Sequence, residues 1–187
     1  MVALIKLMKR AVFLDRDGVI NKAFVIDGVP TPPKSLASVE VLVGVKEAVS
    51  LLRESNFVVV IVTNQPDVGR GVVSQKSVTA INSFLEYELG IEHSYTCFHD
   101  DLQGCNCRKP KPGLLQNAAR DLRLDLQRSF MVGDRWKDIA AGQAAGCNCF
   151  FIDYQYAEKS PVLPFMKVSS LIEATRIILE NSDDNFC

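Results

Sequence analysis

Ala11-Val12-Phe13-Leu14-Asp15-Arg16-Asp17-Gly18-Val19 is an apolar run that stops at two carboxylates, two residues apart. Four apolar residues followed by Asp-x-Asp-Gly read as a buried parallel strand that delivers acids to the rim of a sheet. Open α/β sheets take their ligands at that rim, outside the carboxyl ends of the strands. One carboxylate can attack while the other moves protons, and the pair can help to hold a cation. The stretch therefore points to phosphoryl chemistry on an α/β scaffold.

Outward from this stretch, strand-like and helix-like segments alternate. Apolar β-rich runs recur at residues 11–14, 57–62, 129–132 and 149–152, with a weaker one at 95–98. Residues 58–62 are apolar throughout, as expected of a strand covered on both faces. Val45, Val49 and Leu52 recur at helical spacing, as do Val78, Ile81, Leu85 and Leu89, with Ser74 as N-cap and Gly90 as stop. Residues 114–122 and 168–179 complete the set. This alternation predicts a Rossmann-like parallel sheet with helices on both faces, one domain over residues 1–187. Residues 23–38, with Pro30, Pro32 and Pro33, read as an ordered loop, either a flap over the site or a rigid surface connection. Neither this loop nor residues 97–113 is long enough to form a separate domain, so the site is expected to be capless. The polar tail 181–187 is expected to fray.

Composition excludes several classes. A net charge of −1 gives no global field to gather nucleic acid or membrane, so any anion site must be local. No apolar run is long enough to span a bilayer. Residues 1–14 are apolar but interrupted by Lys6, Lys9 and Arg10, unlike a signal peptide, so a cytoplasmic location is expected. The expected partner is a small molecule, with neither nucleic acid nor membrane, and the expected state is a monomer. Six cysteines without a signal peptide read as metal ligands or reduced thiols rather than disulfides.

Other strand ends carry polar groups to the same rim. The second strand ends Ile61-Val62-Thr63-Asn64-Gln65, and the fourth ends Met131-Val132-Gly133-Asp134-Arg135-Trp136-Lys137-Asp138. Arg108-Lys109-Pro110-Lys111-Pro112 precedes the helix leading to the fourth strand. Asp15 suits the role of nucleophile and Asp17 that of general acid and base. A Mg²⁺ held by Asp15 and Asp134 would offset the repulsion between that nucleophile and an anionic phosphate ester. Lys109 would add a point charge, and the Thr63 hydroxyl would bind a phosphoryl oxygen. A lone Asp-x-Asp is more often a solvated turn or a cap. Four such elements in order at successive strand ends are much harder to obtain by chance.

Cys97-x-His99 and Cys105-x-Cys107 offer three thiolates and an imidazole, a closed tetrahedral set for a structural Zn²⁺. Such an ion would pin the loop 97–107 and position Arg108 and Lys109. The competing reading is a set of buried or redox thiols. Cys147 and Cys149 have no nearby histidine and read as core, and His93 as a surface residue. Arg70 suits either a loop salt bridge or a distal phosphate. Trp136 suits packing more than a wall of the site.

These residues resemble the haloacid dehalogenase superfamily of aspartate-nucleophile phosphatases. Asp15-Arg16-Asp17-Gly18-Val19-Ile20-Asn21 is similar to its first motif, Thr63 to its second, Lys109 to its third, and Gly133-Asp134 with Asp138 to its fourth. The resemblance implies that Asp17 also offers Mg²⁺ its backbone carbonyl and that Asp138 stands behind the direct ligands. The Cys-x-His…Cys-x-Cys-Arg-Lys-Pro run resembles the histidinol-phosphate and heptose-bisphosphate phosphatase branch. Thr63-Asn64-Gln65-Pro66-Asp67-Val68-Gly69-Arg70-Gly71 is more similar to the heptose 1,7-bisphosphate 7-phosphatases. That likeness implies substrate contacts at Asn64, Gln65, Arg108 and Arg135. It also implies hydrolysis of a sugar 7-phosphate through an aspartyl-phosphate. Histidinol phosphate is the alternative substrate, and a nucleic-acid 3′-phosphatase or a non-catalytic zinc module are the rival classes.

Overall fold

The computed structural model describes residues 8–183. Residues 1–7, and 184–187 of the tail expected to fray, lie outside the described residues. The strands are β1 (Ala11–Leu14), β2 (Phe24–Ile26), β3 (Val29–Thr31), β4 (Val58–Asn64), β5 (His93–Cys97), β6 (Phe130–Gly133), β7 (Asn148–Ile152) and β8 (Met166–Val168). The helices are α1 (Val45–Glu54), the single turn α2 (Pro66–Gly69), α3 (Gln75–Leu89), α4 (Gly113–Leu122), α5 (Trp136–Ala145) and α6 (Leu171–Asp183). None of these helices is long and apolar enough to cross a membrane.

Six strands form one sheet in the order β5-β4-β1-β6-β7-β8, every neighbour parallel. The chain builds outward from β1 to β5, then returns to place β6 on the other side of β1. A crevice opens where the strand order reverses, at the carboxyl ends of β1 and β6. Leu14 is in register with Ile61 and with Val132, so Asp15, Thr63 and Asp134 leave the sheet at nearly one level.

Side-chain alternation along β1 supplies both cores. Val12 and Leu14 face α1, α3 and α6, while Ala11 and Phe13 face α4 and α5. In α1, Val45, Ala48, Val49 and Leu52 are buried as one stripe. Each of the two valines and the leucine contributes about 1.5–3 kcal/mol when fully buried. Ser74 caps α3 by accepting the Ser77 N–H at 3.0 Å, and Gly90 ends it at φ +64°.

Several elements differ from the sequence expectation. The strand expected at 57–62 runs from Val58 to Asn64, and the weak one at 95–98 begins earlier, at His93. His93 is therefore a half-buried strand residue rather than a surface one. The helix expected from residue 168 begins at Leu171, because residues 166–168 pair with β7 as the parallel edge strand β8. Helix α5 was not expected: its alanines give no broad apolar stripe. It packs through smallness, since a Cβ at Gly142 would sit 2.7 Å from Met131 Cβ and Cys149 Sγ. The expected loop at 23–38 contains the antiparallel hairpin β2–β3.

Candidate active site

Asp15 leaves the end of β1 buried, and its backbone N–H donates to the Val132 carbonyl at 3.0 Å. Lys109 reaches it from the loop ahead of α4. The Lys109 ammonium donates to Asp15 Oδ1 at 2.5 Å, meets Asp138 Oδ1 at 2.6 Å and donates to the Val62 carbonyl at 2.7 Å. Three protons thus meet three acceptors. Burial alone would push this ammonium down in pKa. The Asp138 and Asp15 carboxylates outweigh that and hold it above its ordinary range.

Asp134 ends β6. Its Oδ2 accepts the Tyr156 hydroxyl at 2.9 Å, whereas its Oδ1 is buried without a partner among the described residues. Oxygens of Asp15, Asp134 and Asp138 lie within 4.8 Å of one another. Asp138 has both oxygens engaged, Oδ1 with Lys109 and Oδ2 with the Arg135 N–H at 3.0 Å. Lys109 bonds only Oδ1 of Asp15. Open capacity is therefore concentrated on Asp15 and Asp134. Burial pushes Asp15 up to about 7, opposed by Lys109 and reinforced by Asp138 and Asp17, and burial with Asp15 nearby raises Asp134 well above its usual range. An orphaned buried oxygen among convergent hard carboxylates fits Mg²⁺. Gly18 (φ +95°) makes the approach possible, because a Cβ there would overlap Asp134 Oδ2.

Asp17 is held by donors alone. Arg16 Nε and Nη2 fork onto it at 3.1 and 2.8 Å, Asn21 Nδ2 donates at 2.9 Å and Gln65 Nε2 at 2.7 Å. Arg16 is fully buried and also donates to Asn82 Oδ1 at 2.8 Å.

Among the residues implied as substrate contacts, Gln65 is buried and gives its amide protons to Asp17 and to Thr63 Oγ1 (3.0 Å), so it orients the Asp17 carboxylate. Asn64 clamps the Lys109 backbone, donating to its carbonyl at 2.9 Å and accepting its N–H at 3.1 Å. Thr63 is buried beside Gln65. Arg108 Nε donates to Asp101 Oδ1 at 2.9 Å and Arg135 Nε to Glu158 Oε2 at 3.0 Å, yet both line the cleft above the acids. Arg70 bonds Asp67 and Asp101 and lines the same cleft. Trp136 begins α5 with Lys159 Nζ 3.6 Å over its ring.

The cleft has a volume of about 270 Å³, and Val29, Pro30, Thr31 and Pro32 of the hairpin form one wall. A larger cavity of about 1240 Å³ lies at the opposite ends of β6–β8, between Arg10, Phe130, Asn148 and Phe165. It contains none of the acids, so volume does not mark the chemistry here.

The loop after β5 gathers the cysteines. Cys97 Sγ lies 3.5 Å from His99 Nδ1, 3.7 Å from Cys105 Sγ and 3.4 Å from Cys107 Sγ, and Cys107 lies 3.3 Å from His99. These four edges, 3.3–3.7 Å, suit a tetrahedron whose centre is about 2.1 Å from its corners, between the Zn–N and Zn–S bond lengths. Burial, with the Cys107 hydrogen bond next, pushes the Cys97 thiol up to about 12. A cation at the centre would hold such a buried sulfur as thiolate. Cys147 and Cys149 are buried in the core on the same side of the sheet as Cys97 but are not part of the four-residue group.

Arg16, Asn21, Asn82, Tyr156 and Glu158 were not singled out from sequence. Arg16 sits inside the Asp-x-Asp motif and carried a visible signal: a charged residue amid a buried run needs a partner. Tyr156 and Glu158 follow β7 in an irregular segment with no local signal.

The family profile for haloacid dehalogenase-like hydrolases matches residues 34–146. The chain belongs to this family, and it is a phosphoric monoester hydrolase. It is 37% identical over 150 residues, 74% of this chain and 77% of the relative, to the D-glycero-β-D-manno-heptose-1,7-bisphosphate 7-phosphatase of Vibrio cholerae. Its identity to the enzyme of the same name from Helicobacter pylori strain 26695 is 34%, over 81% of this chain and 88% of the relative. The crystal structure of the D,D-heptose 1,7-bisphosphate phosphatase of B. bronchiseptica, complexed with magnesium and phosphate, superposes with a TM-score of 0.80. That pair is 27% identical and covers 92% of this chain and 99% of the other.

Proposed function

We propose that this chain hydrolyses the 7-phosphate of D-glycero-D-manno-heptose 1,7-bisphosphate through an aspartyl-phosphate on Asp15. One observation carries the reaction class: the Lys109 ammonium joins Asp15 to Asp138 beside an unpartnered Asp134 oxygen. A carboxylate oxygen of Asp15 attacks phosphorus, and the bond from phosphorus to the sugar oxygen breaks. Asp17 gives that leaving oxygen its proton, then takes one from the water that cleaves the acyl phosphate and restores Asp15. The leaving oxygen takes the place of one of the donors that hold Asp17. Lys109 offsets charge on the transferring group, and the Thr63 hydroxyl binds one of its oxygens. Asp15, Asp134 and the Asp17 carbonyl would hold Mg²⁺, which supplies Lewis-acid charge to the phosphoryl oxygens.

The cleft cations support the substrate. Asp101 holds Arg70 and Arg108 side by side at the mouth. Lys137 lines the same cleft and makes no ion pair among the described residues. Burial, with Arg135 and Arg108 nearby, pushes its ammonium down in pKa. This arrangement suits a retained second phosphate, onto which Arg108 can fork. Histidinol phosphate would instead bring an ammonium group, and the carboxylates beside the arginines, Asp67 and Asp101, are already bonded. We also take one chain, residues 1–187, as the working unit, since it supplies every group of the cluster. We place it in the cytoplasm, where free thiols persist.

Phosphate release across a panel in Mg²⁺ tests the substrate. The heptose bisphosphate is expected to exceed histidinol phosphate, nucleotides and a 3′-phosphorylated oligonucleotide by at least about tenfold in kcat/KM, the worth of one good charge contact. A higher value on histidinol phosphate would overturn this choice.

Cys97, His99, Cys105 and Cys107 would hold a structural Zn²⁺. Lys111 donates to the Cys105 carbonyl at 2.7 Å, so the metal loop is fastened to the segment that carries Lys109. Cys107→Ser is expected to lose the single zinc that elemental analysis finds per wild-type chain. Protease cutting within 97–111 is then expected before the sheet unfolds. Wild-type protein, purified without chelator and free of zinc, would end the assignment.

A further inference from the structure

The segment after β7 bonds three parts of the site in succession. The Tyr156 hydroxyl donates to Asp134 Oδ2 at 2.9 Å, the Ala157 N–H donates to the Gly28 carbonyl at 2.8 Å, and Glu158 accepts from Arg135 Nε at 3.0 Å. Gly28 is the tip of the β2–β3 turn, and any Cβ there would come 2.7 Å from the Ala157 Cβ. The segment is thus a strap from the hairpin tip to the last acid of the cluster. Tyr154 packs against it, its ring tilted by 32° to that of Tyr156 with centroids 5.6 Å apart.

The strap divides the two oxygens of Asp134. Oδ2 is taken by the Tyr156 hydroxyl and closed in by Gly18, over which no side chain fits. Oδ1, on the same carboxylate, is buried and unpartnered among the described residues. A carboxylate with both oxygens free can rotate about its Cβ–Cγ bond and present either one. With Oδ2 anchored, the rotation is fixed and Oδ1 is the oxygen left open for a ligand. We propose that Tyr156 is a positioning residue, whose hydroxyl holds Asp134 in the rotation that presents one oxygen to the divalent cation. This rests on the reading of Asp134 as a cation ligand. It assigns a role to a residue outside every motif of the sequence, supplied by a segment that also anchors the hairpin wall of the cleft. Hydrogen-bonded partners of this kind change metal affinity by about 10–100-fold when removed.

The test is Tyr156→Phe, with Tyr154→Phe as its companion. Phenylalanine keeps the ring, its tilted contact with residue 154 and the burial, so the protein folds and only the hydroxyl is lost. Thermal unfolding of the zinc-loaded protein is followed across a Mg²⁺ titration, and the midpoint of the Mg²⁺-dependent rise in Tm is read. In Tyr156→Phe the midpoint is expected to move at least about tenfold to higher Mg²⁺, while Tyr154→Phe stays with the wild type. The Mg²⁺ dependence of turnover is expected to move by the same factor. A purely structural tyrosine would lower Tm in the absence of Mg²⁺ and leave the midpoint in place. A midpoint in Tyr156→Phe within about twofold of wild type overturns the proposal, since that is under 0.5 kcal/mol of coupling. A wild-type Tm that does not respond to Mg²⁺ at all overturns the cation reading of Asp134 itself, a separate outcome visible before any variant is made.

Discussion

Asp15→Asn is expected to remove turnover, with kcat lower by at least about 10⁴-fold, as when other enzymes lose their nucleophile. An amide can neither attack phosphorus as an anion nor form an acyl phosphate. The replacement is nearly isosteric, and Lys109 keeps Asp138 and the Val62 carbonyl, so fold and zinc content are expected to stand. A rapid-quench measurement should find no acid-stable, hydroxylamine-sensitive phosphoprotein in the variant. Residual kcat within about 100-fold of wild type would remove Asp15 as nucleophile, because general acid–base help alone accounts for that much. The same variant has a stability signature. Burial raises Asp15 from 3.8 to about 7 in the folded, Mg²⁺-free protein, with Lys109 opposing and Asp138 and Asp17 adding to the rise. Between those values the folded state binds the extra proton, so stability falls as pH rises through the window. At about 1.4 kcal/mol per pH unit, urea midpoints of the Mg²⁺-free wild type should decline by the equivalent of a few kcal/mol up to pH 7, and those of Asp15→Asn should decline less. Parallel pH profiles would show that Asp15 is not the titrating group.

The sheet was legible because its signal is local and doubled. Residues 58–62 are apolar on both faces, and so are 11–14, which only a covered parallel strand explains. Helix α5 was not legible. Its burial depends on Gly142 letting the helix come close to Met131 and Cys149, a property of two surfaces rather than of one period. The hairpin did leave a trace, since Asp27-Gly28 with φ +51° and +76° is the pair a two-residue turn favours. Three prolines and an exposed apolar strand (Phe24, Val25, Ile26) hid it.

At the site, the acids and the lysine that the structure brings together sit in compact runs at strand ends and in the loop before α4, and can be read directly. Those that orient them could not be read so easily. Gln65 and Asn64 resemble substrate contacts by position, and the structure adds bonds from them to Asp17 and the Lys109 backbone, with Asn64 also lining the cleft. Tyr156 and Glu158 reach Asp134 and Arg135 across 22 and 23 residues of chain that contain a helix and a strand. No short-range pattern encodes such a pairing. Sequence names the acids, and only tertiary contact says which way each carboxylate points.

Lys109→Met is expected to cost the folded protein more than any other single change at the site. The ammonium is fully buried and bonded to two carboxylates and a carbonyl. Methionine matches its volume but supplies no charge, so Asp15 and Asp138 remain buried beside Asp134 with nothing between them. Removing one partner of a buried ion pair costs about 3–5 kcal/mol, because the other charge is left uncompensated. For a chain of this size that is a fall in Tm on the order of 10 °C. Two controls separate charge from packing. Lowering the pH toward 5.5 protonates the raised carboxylates and should narrow the gap to wild type, and Mg²⁺ should narrow it further by supplying a cation to the same oxygens. A packing defect would respond to neither. Turnover is expected to fall by about 10²–10³-fold even at saturating Mg²⁺, the usual cost of one preorganised charge contact to a developing anion. A Lys109→Met protein as stable as wild type at pH 7 without Mg²⁺ would mean that the lysine does not bridge Asp15 and Asp138. The convergence of β1, β4, β6 and the Lys109 loop on one cation would then lose its central contact.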